Sequence, residues 1–319
     1  MEKSQESGDR VSVLIPCYNA EKWIEQAIQS VLGQSVPVGE IIVYDDASLD
    51  RSVSVIEQYS GDVQMIGSRE HLGGQRARNE LLKRARGEWV QFLDADDYLQ
   101  ERKIEADLRV VESIQGIDVV ISPTLREYYP SGDLGKIHEL AEGVDLWLKW
   151  ISWNLPQTGG FLWKKSAIEK IGEWNESWEN CQDYELSSRA LQCGLKFGVA
   201  KNLENRSQAV YRQWSDSTVS KKNIQSVIEN RTRLILSVIH FLGDSGLMKS
   251  EYKEAAGVAF FEMFRSYAAM DLPGAQRYLE GLPESLPPLV KGEAAPLKYK
   301  MVASILGLML AERIAKLLR

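Results

Sequence analysis

Trp89-Val-Gln-Phe-Leu-Asp-Ala-Asp-Asp97 is a mostly apolar run that breaks into three carboxylates within four residues. A short bulky run over 88–93, stopped by charge, predicts a buried strand entering a loop. The same pattern recurs on either side. Residues 11–16 read as a buried strand closed by Pro16, and residues 40–44 as a second strand ending in Asp45-Asp46. Residues 63–67 and 118–122 supply two more strands. Between the strands, residues 21–32, 50–59, 75–85 and 101–114 place apolar side chains at helical spacing, as Trp23, Ala27, Ile28 and Val31 do. Strands alternating with such helices predict a parallel, doubly wound α/β sheet with helices on both faces. Ligands bind these sheets at the carboxyl ends of the strands, where both acidic clusters stand.

The pattern changes from Leu125. Residues 128–133 predict a hairpin or loop, 159–163 a strand, 165–171 and 183–192 helices, and 196–200 and 208–212 further strands. Trp147, Trp150, Trp153 and Trp178 fall in this half; at most one or two are expected at a ligand site and the rest in packing. Beyond Asn223 nearly everything is helical: 224–242, 249–270, 272–279 and a last helix from about Pro296 to Arg319. Pro273 suits a first turn.

Composition narrows the classes. With 44% hydrophobic and 26% charged residues the chain is globular, and 319 residues suit one large domain or two. A net charge of −7 disfavours non-specific nucleic-acid binding, which relies on cations. Three scattered histidines and three cysteines without CxxC spacing disfavour a zinc site and a disulfide framework. The polar N-terminus has no signal segment, and no apolar stretch is long enough to span a bilayer. A cytoplasmic protein is expected.

Each motif has a plain and a chemical reading. Asp94-Ala95-Asp96-Asp97 suits a turn and helix cap. It also gathers like charges whose burial calls for a hard cation such as Mg²⁺ or Mn²⁺. Asp45-Asp46 can cap a turn or offer acceptors to a base or ribose. Tyr18, after Pro16-Cys17, can fill core or line a base pocket. Arg78, in Gly73-Gly74-Gln75-Arg76-Ala77-Arg78-Asn79, can sit on a helix surface or hold a carboxylate or phosphate in its fork.

Together these blocks resemble the family 2 glycosyltransferases, which have the GT-A fold of nucleotide-diphospho-sugar transferases. The resemblance rests on Val-Ser-Val-Leu-Ile-Pro-Cys-Tyr-Asn from Val11, Ile-Ile-Val-Tyr-Asp-Asp-Ala-Ser from Ile41, Ala77-Arg78-Asn79, and Phe-Leu-Asp-Ala-Asp-Asp from Phe92. It runs to about Ser220, roughly two thirds of the chain. It implies a GT-A Rossmann-like doubly wound sheet with a mixed acceptor half and an α-helical C-terminal extension. The implied divisions are a polar tail at 1–10, a nucleotide-sugar half at 11–122, an acceptor half at 123–220 and a helical region at 221–319. Pro16 and Tyr18 are implied as the wall of the base pocket, and Asp46 as the base-binding aspartate with Asp45 beside it. Arg78 is implied to brace the acidic loop or the diphosphate. Asp94 and Asp96 are implied to serve nucleotide and metal, with Asp96 the direct ligand and Asp97 a support. Gln182-Asp183-Tyr184-Glu185 resembles the block that holds the catalytic base, which places that role on Asp183, with Glu185 the weaker alternative. Many members carry a histidine where this chain has Trp214, so a histidine ligand is not expected; Trp214 stacks on sugar or fills core.

The implied reaction is inverting, metal-dependent transfer of a hexosyl-type sugar from a nucleotide-diphospho-sugar, with UDP favoured. The implied acceptor is a carbohydrate or lipid-linked hydroxyl in glycan, polysaccharide or glycolipid synthesis. A catalytically silent nucleotide-sugar-binding protein of the same fold is the alternative. A phosphatase using Asp94 is disfavoured because its DxD would follow the first strand. A dinucleotide enzyme is disfavoured because Cys17-Tyr18-Asn19-Ala20 replaces the glycine-rich turn. Finally, 301–311 is almost wholly apolar with Lys298, Lys300, Arg313, Lys316 and Arg319 around it and only Glu312 opposing them. This reads as a helix for peripheral membrane contact, at the inner face, or for dimerisation or core packing.

Overall fold

The computed structural model describes residues 10–214, 224–292 and 294–317. Residues 1–9 of the expected polar tail, the expected boundary at 220 and the last two residues lie outside the described residues. The chain forms two compact units, Met1–Val144 with Pro156–Thr218, and Asp145–Leu155 with Val219–Arg319.

The first unit is built on a seven-stranded sheet. Its strands are β1 (Val11–Cys17), β2 (Glu40–Asp46), β3 (Val63–Ser68), β4 (Trp89–Phe92), β6 (Val119–Ile121), β9 (Phe161–Lys164) and β10 (Phe197–Val199). The spatial order is β10-β6-β9-β4-β1-β2-β3. β1 pairs in parallel with β2 on one side and β4 on the other, so the chain reverses its direction of winding there. Val11, Val13, Leu14 and Ile15 of β1 are fully buried, as a central strand covered on both faces requires. The expected parallel pairing holds for β1 to β4. β9 runs antiparallel between β4 and β6 and makes the whole sheet mixed.

Helices α1 (Ile24–Leu32), α2 (Ser52–Glu57), α3 (Gly74–Arg84) and α4 (Lys103–Ser113) connect these strands. Three of them start two or three residues later than the apolar spacing suggests, because loop hydrogen bonds take the leading residues. Glu21 N, for example, donates to Asp50 Oδ2 at 3.0 Å. The exception is α3, which starts at Gly74. Further along the unit come α6 (Lys165–Lys170) and α7 (Gln182–Gln192), at the positions expected for helices. A second sheet, ordered β5-β11-β7-β8, joins β5 (Tyr98–Leu99), β7 (Thr124–Tyr129), β8 (Asp133–Leu134) and β11 (Ala209–Trp214). β7 and β8 form the hairpin expected at 128–133.

One fully buried ion pair supports the floor of the unit. Lys103 Nζ lies 2.7 Å from Asp107 Oδ2 one turn along α4. Lys103 also donates to Gln91 Oε1 of β4, and Ser122 Oγ donates to Asp107 Oδ1 at 2.6 Å. Nothing in the local pattern marks this pair, since both residues resemble ordinary helix surface charges.

The second unit contains α5 (Leu146–Ile151), then α8 (Ile224–Asp244), α9 (Ser250–Met270), α10 (Leu272–Glu280) and α11 (Leu297–Leu317). The acceptor half expected as a continuous 123–220 is therefore interrupted at 145–155. Asp145 is the reason: it caps α5 through Leu148 N and accepts from Lys249 Nζ and Tyr252 Oη of α9, both at 2.7 Å. Trp150 is fully buried, Trp147 packs on Phe241 and Arg231 lies 4.7 Å over Trp153. Trp178, in the first unit, is buried too. These four indoles pack. Pro273 occupies the first turn of α10 as expected. In α11, Gly307 at φ 76° breaks the expected single helix into two pieces.

Candidate functional site

The loops at the carboxyl ends of β1, β2 and β4 meet where the sheet reverses. The first two are tied by hydrogen bonds: Asn19 N to Ser48 Oγ, Leu49 N to Asn19 Oδ1, and Ala20 N to Ser52 Oγ. Near the end of β1, Pro16 is partly exposed, and Tyr18 just beyond it is half-exposed. Tyr18 stacks on His71 with ring centroids 3.9 Å apart. His71 Nδ1 lies 2.8 Å from Asp46 Oδ2. Asp46 also accepts from Leu72 N and Gly73 N, each at 2.8 Å. Gly73 has φ 94°, a conformation that suits glycine and turns its N–H toward that carboxylate. Asp46 therefore holds the 71–73 loop with both oxygens.

Asp45 differs. Its Oδ2 caps Ser48 N at 3.1 Å, whereas Oδ1 is buried and accepts no hydrogen bond among the described residues. A buried acceptor without a donor is costly, so the end of β2 carries an unmet demand for one. Gly67, paired with Asp45 across the β2–β3 ladder, lets the backbone come this close, since a Cβ there would meet Asp45 O at 2.5 Å.

The acidic loop follows β4. Arg78 Nη2 donates to Asp94 Oδ1, and Arg78 Nη1 donates to Gln182 Oε1 at 2.9 Å. The same guanidinium lies 4.8 Å over the ring of Trp174. Asp96 Oδ2 accepts from Trp214 Nε1 at 3.2 Å. Burial, and then the Asp94 charge, raise the Asp96 carboxyl above the ordinary aspartate range. Asp97 is buried and accepts from Arg212 N at 2.8 Å; burial and its two acidic neighbours push it well up. Arg212 donates to the carbonyl oxygen of Asp96, pairs with Glu127 and stacks 4.5 Å over Trp23. Trp214 packs edge-on to Trp23 and beside Tyr129. Its indole thus serves the acidic loop directly.

The second carboxylate centre lies at the start of α7. Asp183, in its first turn, accepts a hydrogen bond from the backbone of Thr158. Burial raises its carboxyl and nearby Asp94 adds to this, while Arg78 opposes it. Glu185 is buried and bound bidentately by Arg189, at 2.8 and 2.7 Å. That pairing occupies both oxygens and leaves Asp183 as the carboxylate of this turn suited to take a proton.

Asp94 and Asp96 fit a hard cation. They offer oxygen ligands on one tight turn, and their charges are only partly compensated. Among the described residues no group of three or more His, Cys, Asp or Glu side chains converges on one point. A bound Mg²⁺ or Mn²⁺ would take further ligands from phosphate and water.

Several site residues have no local signature in the sequence. His71, Trp174 and Arg212 are of this kind, since their partners are distant along the chain. Gln182 reads in the sequence only as the neighbour of Asp183. Tyr211 of β11 is a fifth: burial, then the charges of Asp97, Asp96, Asp94 and Asp183, push its phenol up to about 12. It remains a neutral hydrogen-bond donor near four acids.

Residues 12–165 match the family described as Glycosyl transferase family 2. The chain is 41% identical over 101 residues to the putative teichuronic acid biosynthesis glycosyltransferase TuaG of Bacillus subtilis, covering 31% of this chain and 40% of that one. It is 28% identical over 211 residues to the amylovoran biosynthesis glycosyltransferase AmsB of Erwinia amylovora, covering 61% and 68%. The chain thus spans less than half the length of the first of these relatives. The crystal structure of Staphylococcus aureus TarS 1–349 in complex with UDP-GlcNAc superposes with a TM-score of 0.66 at 18% identity, covering 96% of this chain and 88% of that one. That likeness is one of fold, and the fold is GT-A.

Proposed function

We propose that this chain, whose residues 12–165 belong to glycosyl transferase family 2, is a metal-dependent, inverting glycosyltransferase using a nucleotide-diphospho-sugar. The observation that carries the reading is the Arg78 bridge. One guanidinium joins the acidic loop at Asp94 to Gln182, the neighbour of Asp183. The bridge supports donor activation and acceptor deprotonation sharing one scaffold.

Pro16, Tyr18 and Asp45 form the base pocket, and the buried, unpartnered Oδ1 of Asp45 suits an N–H of a nucleobase that reaches it on binding. Asp46 shapes that pocket through the 71–73 loop. Asp96 and Asp94 would hold Mn²⁺ or Mg²⁺, which when bound would neutralise diphosphate charge and improve the leaving group. Asp97 and Trp214 keep Asp96 in place. Asp183 takes the proton of the acceptor hydroxyl, whose oxygen forms the new bond to the anomeric carbon. The bond to the nucleotide diphosphate breaks on the opposite face, its electron pair leaves with the phosphate, and configuration inverts. The raised carboxyl of Asp183 suits a base working near neutral pH. UDP is the favoured nucleotide. The relatives named for teichuronic acid and amylovoran biosynthesis support polysaccharide assembly, with a carbohydrate or lipid-linked acceptor.

The test is transfer by the purified protein from a panel of UDP-sugars, with and without Mn²⁺. Asp96→Ala and Asp183→Ala are expected to abolish transfer, and activity lost on chelation is expected to return with added metal. Full transfer by both variants would overturn the site assignment. Donor binding without transfer to any glycan acceptor would favour a silent binding protein.

A further inference from the structure

The inner side of α11 is tied down. Tyr299 is buried beneath Arg265, whose guanidinium lies 4.0 Å over its ring, and Arg265 pairs with the buried Glu312. Glu312 is the single acid of this helix, so that pairing removes its charge from the surface.

The outer side is apolar and open. Leu297, Met301 and Ile305, one turn apart, are 75%, 59% and 77% exposed. Leu306, Leu310 and Leu317 continue the exposure beyond. Lys298 and Lys300 lie on either side of the Leu297–Met301–Ile305 stripe, since successive residues turn about 100°. Arg313 and Lys316 follow in the second piece. All four cations are exposed, and none takes part in an ion pair among the described residues. This is an apolar stripe with basic borders on a chain whose net charge is −7.

We propose that the outer face of α11 docks onto a bilayer containing anionic lipid, lying in the headgroup region. A helix with an apolar stripe and lysines at its edges sinks the stripe and pairs the borders with lipid phosphates. No described helix is long and apolar enough to cross a membrane, which favours lying over spanning. A second copy of the chain fits this face poorly. Parallel or antiparallel, a twofold contact through α11 sets Lys298, Lys300, Arg313 and Lys316 against their own kind. The one acid of the helix that could answer them is already used by Arg265. The break at Gly307 lets the two pieces tilt separately to the plane of the lipid.

Flotation of the full chain tests this without any use of transfer, so it can fail while the catalytic reading stands. The probes are phosphatidylcholine vesicles with and without phosphatidylglycerol, at low and high salt. Binding is expected with phosphatidylglycerol and is expected to weaken with salt. Lys298→Gln with Lys300→Gln should cut partitioning roughly thirtyfold. Ile305→Glu, at an exposed position that folding does not need, should remove it while leaving the thermal transition in place. Absence of flotation overturns the proposal. So does flotation indifferent to the lysine changes. A dimer in sedimentation that Ile305→Glu dissociates overturns it in favour of self-association.

Discussion

Arg78→Lys keeps the charge at the centre of the site and removes the shape. Arg78 reaches Asp94 and Gln182 with two separate nitrogens and lays its plane over Trp174. A lysine ammonium can serve one of those acceptors at a time and cannot stack as a plane. One hydrogen bond involving a charged group contributes about 1.5–3 kcal/mol. The lost stacking adds about 0.5–1 kcal/mol. The variant should therefore lose about 2–4 kcal/mol of organisation between the acidic loop and α7. If that organisation is needed in the transition state, kcat/KM falls roughly thirty- to a thousandfold. The assay is steady-state transfer at saturating acceptor, with chemical unfolding of the same preparation. Most of the loss should appear in kcat, because the substitution leaves Asp45 and Tyr18, the residues proposed to bind the donor base, untouched. A variant within about threefold of the parent would refute the bridge as a functional element. So would a rate loss that vanishes once the unfolded fraction is accounted for.

Three further outcomes follow from features of the first unit. Asp107→Ala strands a buried Lys103 charge and should destabilise by about 3–5 kcal/mol in chemical denaturation, whereas Lys103→Met with Asp107→Leu should be near neutral or stabilising; equal losses in both would rule out an uncompensated charge as the cause. Arg102, with Ser35 and Arg109, holds the Glu105 carboxyl down to about 2 from an ordinary 4.5. Because the folded value is the lower one, its stabilisation is complete above the unfolded value and is lost as pH falls from about 4.5 toward 2. Glu105→Gln should therefore cost on the order of 2 kcal/mol at neutral pH after screening, with the gap from the parent closing in acid melts. Asp183 must be ionised to act as a base and its carboxyl is raised, so the acid limb of kcat should lie above the ordinary aspartate range. A limb at or below that range in the pH–rate profile would argue against burial at Asp183.

The order of elements is legible in the sequence because it is local. Val11, Val13, Leu14 and Ile15 predict a doubly covered strand, and they lie at 0% exposure in the middle of the sheet. Asp45-Asp46 and Asp94-Ala95-Asp96-Asp97 stand at strand ends, where an apolar run stopped by charge puts them. What stays hidden depends on partners far along the chain. Nothing near Phe161 distinguishes 161–164 from a parallel strand; its direction follows from insertion between β4 and β6. The same distance effect hides Arg212, which meets Asp96 and Asp97 from more than a hundred residues away. It also hides His71, whose stacking on Tyr18 joins the loops after β1 and β3. Glu185 stands in the sequence as the weaker alternative to Asp183, and the physical reason appears only in the fold, where Arg189, one helical turn on, takes both its oxygens. The tryptophans of 147–153 suggest sugar platforms by residue type alone, and type does not say which side of a helix faces the core.

The antiparallel β9 also bears on how the chain is made. Synthesis runs from the N-terminus, so β4 and β6 both leave the ribosome well before the strand that separates them in the finished sheet. Until residues 161–164 arrive, each presents an unpaired edge of backbone N–H and C=O groups. The nascent N-terminal part of the first unit is thus an incomplete sheet with a gap in its middle, a form prone to pairing with other chains. Expression of residues 11–122 alone should yield aggregate, whereas extension through Lys164 closes the gap from within.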